Sequence, residues 1–379
     1  MIEHKAVISG IGASDIGRRL QRDPWDLTVD AALAAIADAG LSVEDIDGIS
    51  TYPGAIGSTP GITGAGTEDV RTLLGLKPRW HSGGMEMAGQ LGSVVNATLA
   101  AGSGLVNHVL CFRTVWESSA QLSIGSRSSV MASALPREGL QWMKPYGPGY
   151  PTHGGLAMQR YMAESGATRE QIGQIAVVAR ANAALNPLAA YRDPMSLDDY
   201  LEAKMISDPL CLYDCDVPID GSIAVIVSRA DSSAIHRDQA ITIQAMAAAS
   251  GLEECGEMMW ARTDLKPSDV DMAQLYDGFS ILAIKWLEGL RLCGTNEAAS
   301  FVEGGTRIAR DGQLPLNTNG GQLSGGRMHG FGGLYEACLQ LRGLGGDRQI
   351  PSNPQVAVVS SGSDTFASSL VLAGGAAAQ

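Results

Sequence analysis

The chain has 379 residues, 45% hydrophobic and 18% charged, enough for one large globular domain or two fused ones. Its formal net charge of −13 argues against nucleic acid as a partner, because phosphate contacts need a basic face. No apolar run reaches the roughly 18 residues of a membrane span, and with no basic stretch followed by an apolar one, Met-Ile-Glu-His-Lys-Ala-Val is not expected to act as a signal peptide. A cytoplasmic address is the expectation.

Residues 4–12 predict a strand running into a glycine turn. Residues 26–40 predict an amphipathic helix, with Leu27, Val29, Ala32, Leu33 and Ile36 at helical spacing. A turn and a short strand follow at 40–54, then an apolar helix over 85–103 and a strand at 107–112. A long insert begins near 116, polar and loop-like at first, with prolines 145, 148 and 151 precluding regular structure. A helix from about 155 to 165, another after the turn at 167–171, and a short one capped by Ser196 with Asp199 complete it. Residues 214–231 turn into the strand that ends the first half. Asp214, Asp216 and Asp220 read there as turn residues.

The second half repeats the first. Segment 264–280 echoes 40–54, 325–346 echoes 83–104, and 355–363 echoes 107–115. In the longest pair a double glycine opens a helix and a glycine closes it. The division expected is 1–240, with an insert at about 116–215, and 241–379.

The six cysteines are Cys111, Cys211, Cys215, Cys255, Cys293 and Cys338. They form no C-x-x-C pair and no zinc spacing, so no metal is expected and most read as small buried hydrophobes.

Several stretches carry a resemblance over essentially the whole chain. They are "RYMAESGATREQ", "NPLAAYRDPMSLDDYLEAKMISDPLCLYDCDVPIDGSIAVIVS", "QLYDGFSILAIKWLE", "LPLNTNGGQLSGGRMHG" and "YEACLQLRG". They resemble the thiolase superfamily, in particular the lipid-transfer or sterol-carrier-type thiolases and the bacterial steroid side-chain aldolases. The resemblance implies an α/β fold of two duplicated halves in five αβαβα layers, with a loop domain inserted in the first. It also implies a homodimer and an acyl-CoA ligand.

The departures bear on chemistry. A thiolase places a cysteine where a helix N-terminus lowers its pKa. That position falls on or near Met87, beside Glu86, and a thioether cannot be acylated. The family's Asn-Glu-Ala-Phe loop reads Tyr276-Asp277-Gly278-Phe279. Its histidine falls on Arg327 or, with a local gap, on His329, and its last thiol motif reads Ser360-Ser361-Gly362-Ser363.

This pattern resembles the aldolases, which keep the scaffold and replace nucleophilic chemistry with proton transfer. Retro-aldol cleavage of a β-hydroxyacyl-CoA needs a base for the hydroxyl and a hole for the thioester enolate. It needs no cofactor beyond the coenzyme A of the substrate. His329 is a candidate base. Tyr276 is a candidate proton donor if Arg327 pulls its pKa down, and Asp277 a candidate orienting group. Gly84, Met87, Gly326 and Ser360 are candidate substrate-binding positions. The structural alternatives are a turn-capping His329, a core Tyr276 and an Arg327 paired with Asp277 or Glu336.

Two other functions stand beside the lyase: an acyl-CoA acyltransferase, and a non-catalytic lipid or acyl-CoA binding protein. The aldolase resemblance also implies a small OB-fold companion, often with a zinc ribbon.

Overall fold

The computed structural model describes residues 1–54, 61–62, 64–84, 89–124 and 149–374. In the first half, β1 (Ala6–Ala13) leads to α1 (Pro24–Asp38), β2 (Gly48–Thr51), α2 (Thr67–Leu74) and β3 (Trp80–Gly83). Then come α3 (Gly92–Gly102), β4 (His108–Trp116) and α4 (Glu117–Ile124). The insert contributes α5 (Tyr150–Ser165), α6 (Arg169–Ala184), α7 (Leu197–Leu201) and a hairpin of β5 (Met205–Ser207) with β6 (Leu210–Cys211), before β7 (Asp220–Arg229) closes the half. The second half runs β8 (Ile241–Ala249), α8 (Leu252–Trp260), β9 (Met272–Gln274), α9 (Ser280–Gly289), α10 (Ala298–Val302), α11 (Phe331–Leu341), β10 (Val356–Ser363) and β11 (Phe366–Ala373).

Nine strands form one sheet in the order β3-β2-β4-β7-β1-β8-β11-β10-β9. The duplication is legible in it. β1 pairs antiparallel with β7, β7 with β4, and β4 runs parallel to β2. In the same way β8 pairs antiparallel with β11, β11 with β10, and β10 runs parallel to β9. The halves join where Val7 and Ile8 of β1 meet β8.

The likeness extends to atoms. The Ser42 N–H donates to Asp45 and the Lys266 N–H to Asp269, each at 2.8 Å, tightening the turns before β2 and β9. Asp47 accepts the N–H groups of Asn107 and His108 at the start of β4. Asp271 does the same for Gln355 and Val356 at the start of β10.

Period-two alternation sorts the strands into layers. Val109 and Cys111 face a central core shared with α3 and α11, while Leu110 and Phe112 face α1 on the outside. Ala357 and Val359 face the same central core, while Val358 faces α8 and α9. The result is α-β-α-β-α layering, with α3 and α11 in the middle.

Four local expectations are corrected. On α1 the buried face is Leu27, Thr28, Ala31, Ala32, Ala35 and Ile36, whereas Leu33 is exposed. The helix lies so close to β1 that only small residues fit. A Cβ on Gly10 would sit 2.2 Å from the Ala35 carbonyl oxygen, and one on Gly12 would sit 2.3 Å from that of Ala31. Gly12→Ala is therefore expected to cost about 1–3 kcal/mol in urea unfolding by forcing the two apart; unchanged stability would refute this packing.

The second correction is α3, which starts at Gly92 rather than 85; residues 85–88 lie outside the described set. Third, residues 113–116 continue β4 and α4 follows at once, so the insert does not open as loop. Fourth, α5 begins at Tyr150 and takes in Pro151, which a first helical turn accepts because its missing N–H would be unpaired there anyway. Pro145 and Pro148 lie outside the described residues. Among the described residues no helix is long and apolar enough to cross a membrane.

Candidate active site

The candidate residues lie at or near the carboxyl ends of strands that run parallel within each half, the usual place for a site in an α/β protein. Tyr52 follows β2, Arg113 lies near the end of β4, Tyr276 and Asp277 follow β9, and Ser360 and Ser361 lie on β10. The loop before α11 runs through a wide helical turn, Gly321–Gly325, then Gly326, Arg327, Met328 and His329. It is pinned to the segment before β7: the Arg327 N–H donates to the Val217 carbonyl, and the Val217 N–H to that of Gln322, both at 2.9 Å. Gly326 has φ +128, and a Cβ there would press on Ile219.

Both middle-layer helices enter the same neighbourhood. The Gln90 N–H donates to Ser361 Oγ at 3.2 Å just before α3, and Ser361 Oγ lies 3.3 Å from the His329 carbonyl just before α11. Cβ atoms on Gly89 or Gly330 would both collide with Ser361. Glycine is needed at each entry, though at Gly89 and Gly330 rather than at the glycine pairs that the sequence repeat singles out.

A buried charge cluster surrounds the loop. Arg327, 8% exposed, pairs with Glu117 at 2.6 Å and with Asp216 at 3.3 Å. Arg113, 1% exposed, places Nη2 2.9 Å from His329 Nδ1. Burial lowers the Arg113 pKa to about 10, against the pull of Glu117.

Tyr276 does not behave as expected. Burial and then Asp216 push its hydroxyl above the ordinary range, and the opposing effects of Arg327 and of the Gln322 amide are smaller. Arg327 is balanced by two carboxylates, so its field at the phenol is weak. Tyr276 is thus held protonated. Its ring folds over Gly278, where a Cβ would come within 2.9 Å. Asp277, 1% exposed, is pushed up to about 7 by burial, against the Gln322 backbone N–H that donates to Oδ1 at 2.8 Å.

Tyr276, Asp277, Gly326 and Ser360 line a common cavity of about 20 Å³, room for a single water, and the Tyr276 N–H donates to Ser360 Oγ at 3.0 Å. His329 does not line this cavity; its N–H donates at 2.9 Å to Oε1 of Gln322, which does. Arg327 pairs with neither Asp277 nor Glu336; the latter is bound to Arg348 at 2.8 Å. Gly84 lies beside Gly54, whose N–H reaches its carbonyl at 3.3 Å, two residues past Tyr52. Met87 and Glu86 lie outside the described residues.

Asp214 and Asp220 are structural, as expected. Asp214 accepts from Tyr200 and the Cys211 N–H, Asp220 from Ser118 and the Leu20 N–H. Asp216 belongs instead to the charge cluster. His153 is exposed on α5.

Sequence reading also missed Arg113, Glu117 and Gln322. Arg113 left a signal: it is a lone cation inside the apolar strand Val-Leu-Cys-Phe-Arg-Thr-Val. Glu117 and Gln322 left none, because their partners are distant in sequence.

No cysteine is poised as a nucleophile. Burial raises the thiol pKa of all six, to about 11 for Cys211 and Cys255 and about 12 for Cys215, Cys293 and Cys338.

A family model described as thiolase C-terminal domain-like matches residues 229–373. A steroid side-chain-cleaving aldolase of Thermomonospora curvata is 31% identical over 97% of each chain. The 17-hydroxy-3-oxo-4-pregnene-20-carboxyl-CoA lyase of Mycobacterium tuberculosis is 32% identical over 90% of this chain and 93% of its own. Among solved structures, an Ltp2–ChsH2(DUF35) aldolase matches with TM-score 0.86 at 30% identity over 98% of both chains. Human mitochondrial 3-ketoacyl-CoA thiolase shares the fold, with TM-score 0.73 at 14% identity over 99% of this chain and 100% of its own.

Proposed function

The chain belongs to the thiolase superfamily, in the branch of the steroid side-chain-cleaving aldolases, and from that premise we propose that it cleaves a β-hydroxyacyl-CoA by a retro-aldol reaction. The substrate class we infer is a tertiary β-hydroxy thioester with a bulky, steroid-like ketone half, in keeping with the names of the two lyase relatives.

Asp277, poised near neutrality, takes the β-hydroxyl proton. The C–O bond becomes a ketone carbonyl as the Cα–Cβ bond breaks, and its electron pair passes into the thioester as an enolate. Tyr276, held protonated, returns a proton to Cα, and the proton on Asp277 then restores the phenol. Atoms and charge balance with no acyl group on the protein. The Gly84 backbone N–H is the candidate enolate donor; those of Gly325, Gly326 and Arg327 already donate to the carbonyls of Gly320, Gly321 and Val217. Arg327, fixed between Glu117 and Asp216, holds the loop of His329 in place rather than acting on the phenol. The coenzyme A of the substrate is the only cofactor the scheme uses.

The observation that carries this reading is the buried Tyr276–Asp277 pair, one group kept protonated and the other titrating near 7, beside six cysteines that burial disarms. We also propose a homodimer and a small OB-fold companion, often with a zinc ribbon, as the family resemblance implies; the Ltp2–ChsH2(DUF35) name of the related aldolase supports a companion.

The test is product analysis by mass, with the purified chain alone and with that companion, on tertiary β-hydroxyacyl-CoA thioesters. Ketone plus shortened acyl-CoA without added free coenzyme A is the expected result. Cleavage only with free coenzyme A would favour the acyltransferase. Tight binding with no cleavage under either condition would favour a lipid-binding protein.

A further inference from the structure

We propose that Arg113 is a positioning residue that fixes His329 as a neutral imidazole with its proton on Nε2, making His329 a hydrogen-bond donor rather than a base. A guanidinium has five N–H donors and no acceptor. A contact of 2.9 Å between Arg113 Nη2 and His329 Nδ1 is therefore Arg113 donating to the Nδ1 lone pair. A neutral imidazole with Nδ1 occupied in this way carries its proton on Nε2. Placing a proton on Nδ1 as well would set two N–H groups and two positive charges against each other in a site where Arg113 is 1% and His329 7% exposed.

The rest of His329 is held as firmly. It is a non-glycine residue at φ +51, a conformation that needs support from its surroundings. Its N–H donates to Gln322 Oε1 at 2.9 Å, and its carbonyl accepts from Ser361 Oγ at 3.3 Å. The backbone is thus tied on both sides, and Arg113 sets the ring.

Several charged or titratable groups surround this pair. Glu117 comes from α4, Asp216 from the segment before β7, Tyr276 and Asp277 from the loop after β9, Tyr52 from the end of β2, and Arg327 from the loop of His329 itself. Glu117 and Asp216 are ion-paired with Arg327, so the group bonded to Nδ1 is the Arg113 cation.

Nε2 lies across the ring from Nδ1, so its N–H is directed away from the Arg113 guanidinium. In the aldolase reading, on which this part of the inference rests, it donates to the thioester oxygen as the enolate forms. The sequence motif suggests a base at this position. The tautomer assigns the base role elsewhere, in agreement with Asp277.

The test uses full-length chain labelled with ¹⁵N-histidine and free of ligand. Long-range ¹H–¹⁵N spectra are recorded between pH 6 and 8, with His329 assigned by the signals that vanish in His329→Gln. The expected pattern is an unprotonated, hydrogen-bonded Nδ1 and a protonated Nε2, unchanged across that range. Arg113→Met should give a mixture of tautomers that titrates. With companion and thioester it should lower kcat by about 10- to 100-fold with KM little changed, and Arg113→Lys should restore part of the loss.

A protonated Nδ1 on His329 in the wild-type spectrum overturns the proposal even if Arg113→Met does not fold. So does an Arg113→Met spectrum identical to wild type. A wild-type chain with the expected tautomer that cleaves no β-hydroxyacyl-CoA removes the aldolase reading and leaves the Arg113 assignment standing.

Discussion

Asp277→Asn is expected to lower kcat by at least about a hundredfold while making the folded protein more stable at pH 8. The two effects have one cause. Burial raises the Asp277 pKa from 3.8 to about 7, so the ionised form the reaction needs is the form the fold disfavours. A carboxylate with a raised folded-state pKa adds stability below its unfolded pKa, near 4, and loses it as pH rises to about 7. The rise is equivalent to on the order of 4 kcal/mol above neutrality, an upper figure for a single buried group. Asparagine keeps an acceptor for the Gln322 N–H and carries no charge.

The stability gap between variant and wild type should therefore widen from pH 5 to pH 8, with a melting temperature about 2 °C or more higher at pH 8. Wild-type kcat should fall as pH drops below about 7, when Asp277 takes up its proton. Thermal unfolding at the two pH values and a pH–rate profile check both. A variant equally active, or less stable at pH 8, would remove Asp277 from the base role.

Arg327→Met should have the opposite signature. Removing one member of a buried ion pair leaves the other as a desolvated charge, which typically costs about 3–5 kcal/mol. Here one cation serves Glu117 at 2.6 Å and Asp216 at 3.3 Å, with Glu117 3% exposed at its side chain. Without Arg327 both carboxylates lose their counter-charge inside the protein. Urea unfolding at pH 8 measures the loss. A loss under about 1 kcal/mol, the range of an exposed pair, would mean that water reaches the cluster.

The fold is readable because its signals are local or repeated. Matched turns before two strands and period-two strands survive as sequence patterns. The Asp47 and Asp271 clasps show that the repeat at 40–54 and 264–280 is physical. The face of α1 is misread when apolar size is the guide, because Gly10 and Gly12 bring the helix so close that alanines are buried and Leu33 is excluded.

The site is partly readable. Tyr276, Asp277 and Ser360 stand out as departures from a family motif at known places. The electrostatics do not. Arg327 lies 210 positions from Glu117 and 111 from Asp216, and only the fold makes them a cluster. Sequence alone therefore credits Arg327 with lowering the Tyr276 pKa, when its charge is balanced by other groups. Arg113 is easily passed over, although a lone arginine in an apolar strand must find a partner.

In the proposed mechanism proton transfer takes the place of an acyl-protein adduct. The most direct measurement is the intact mass of the polypeptide, acid-quenched during steady turnover of a β-hydroxyacyl-CoA. An unmodified mass at every time point, while ketone and shortened acyl-CoA accumulate, is the result expected. A transient gain equal to the acyl group, on any residue of this chain, would contradict it.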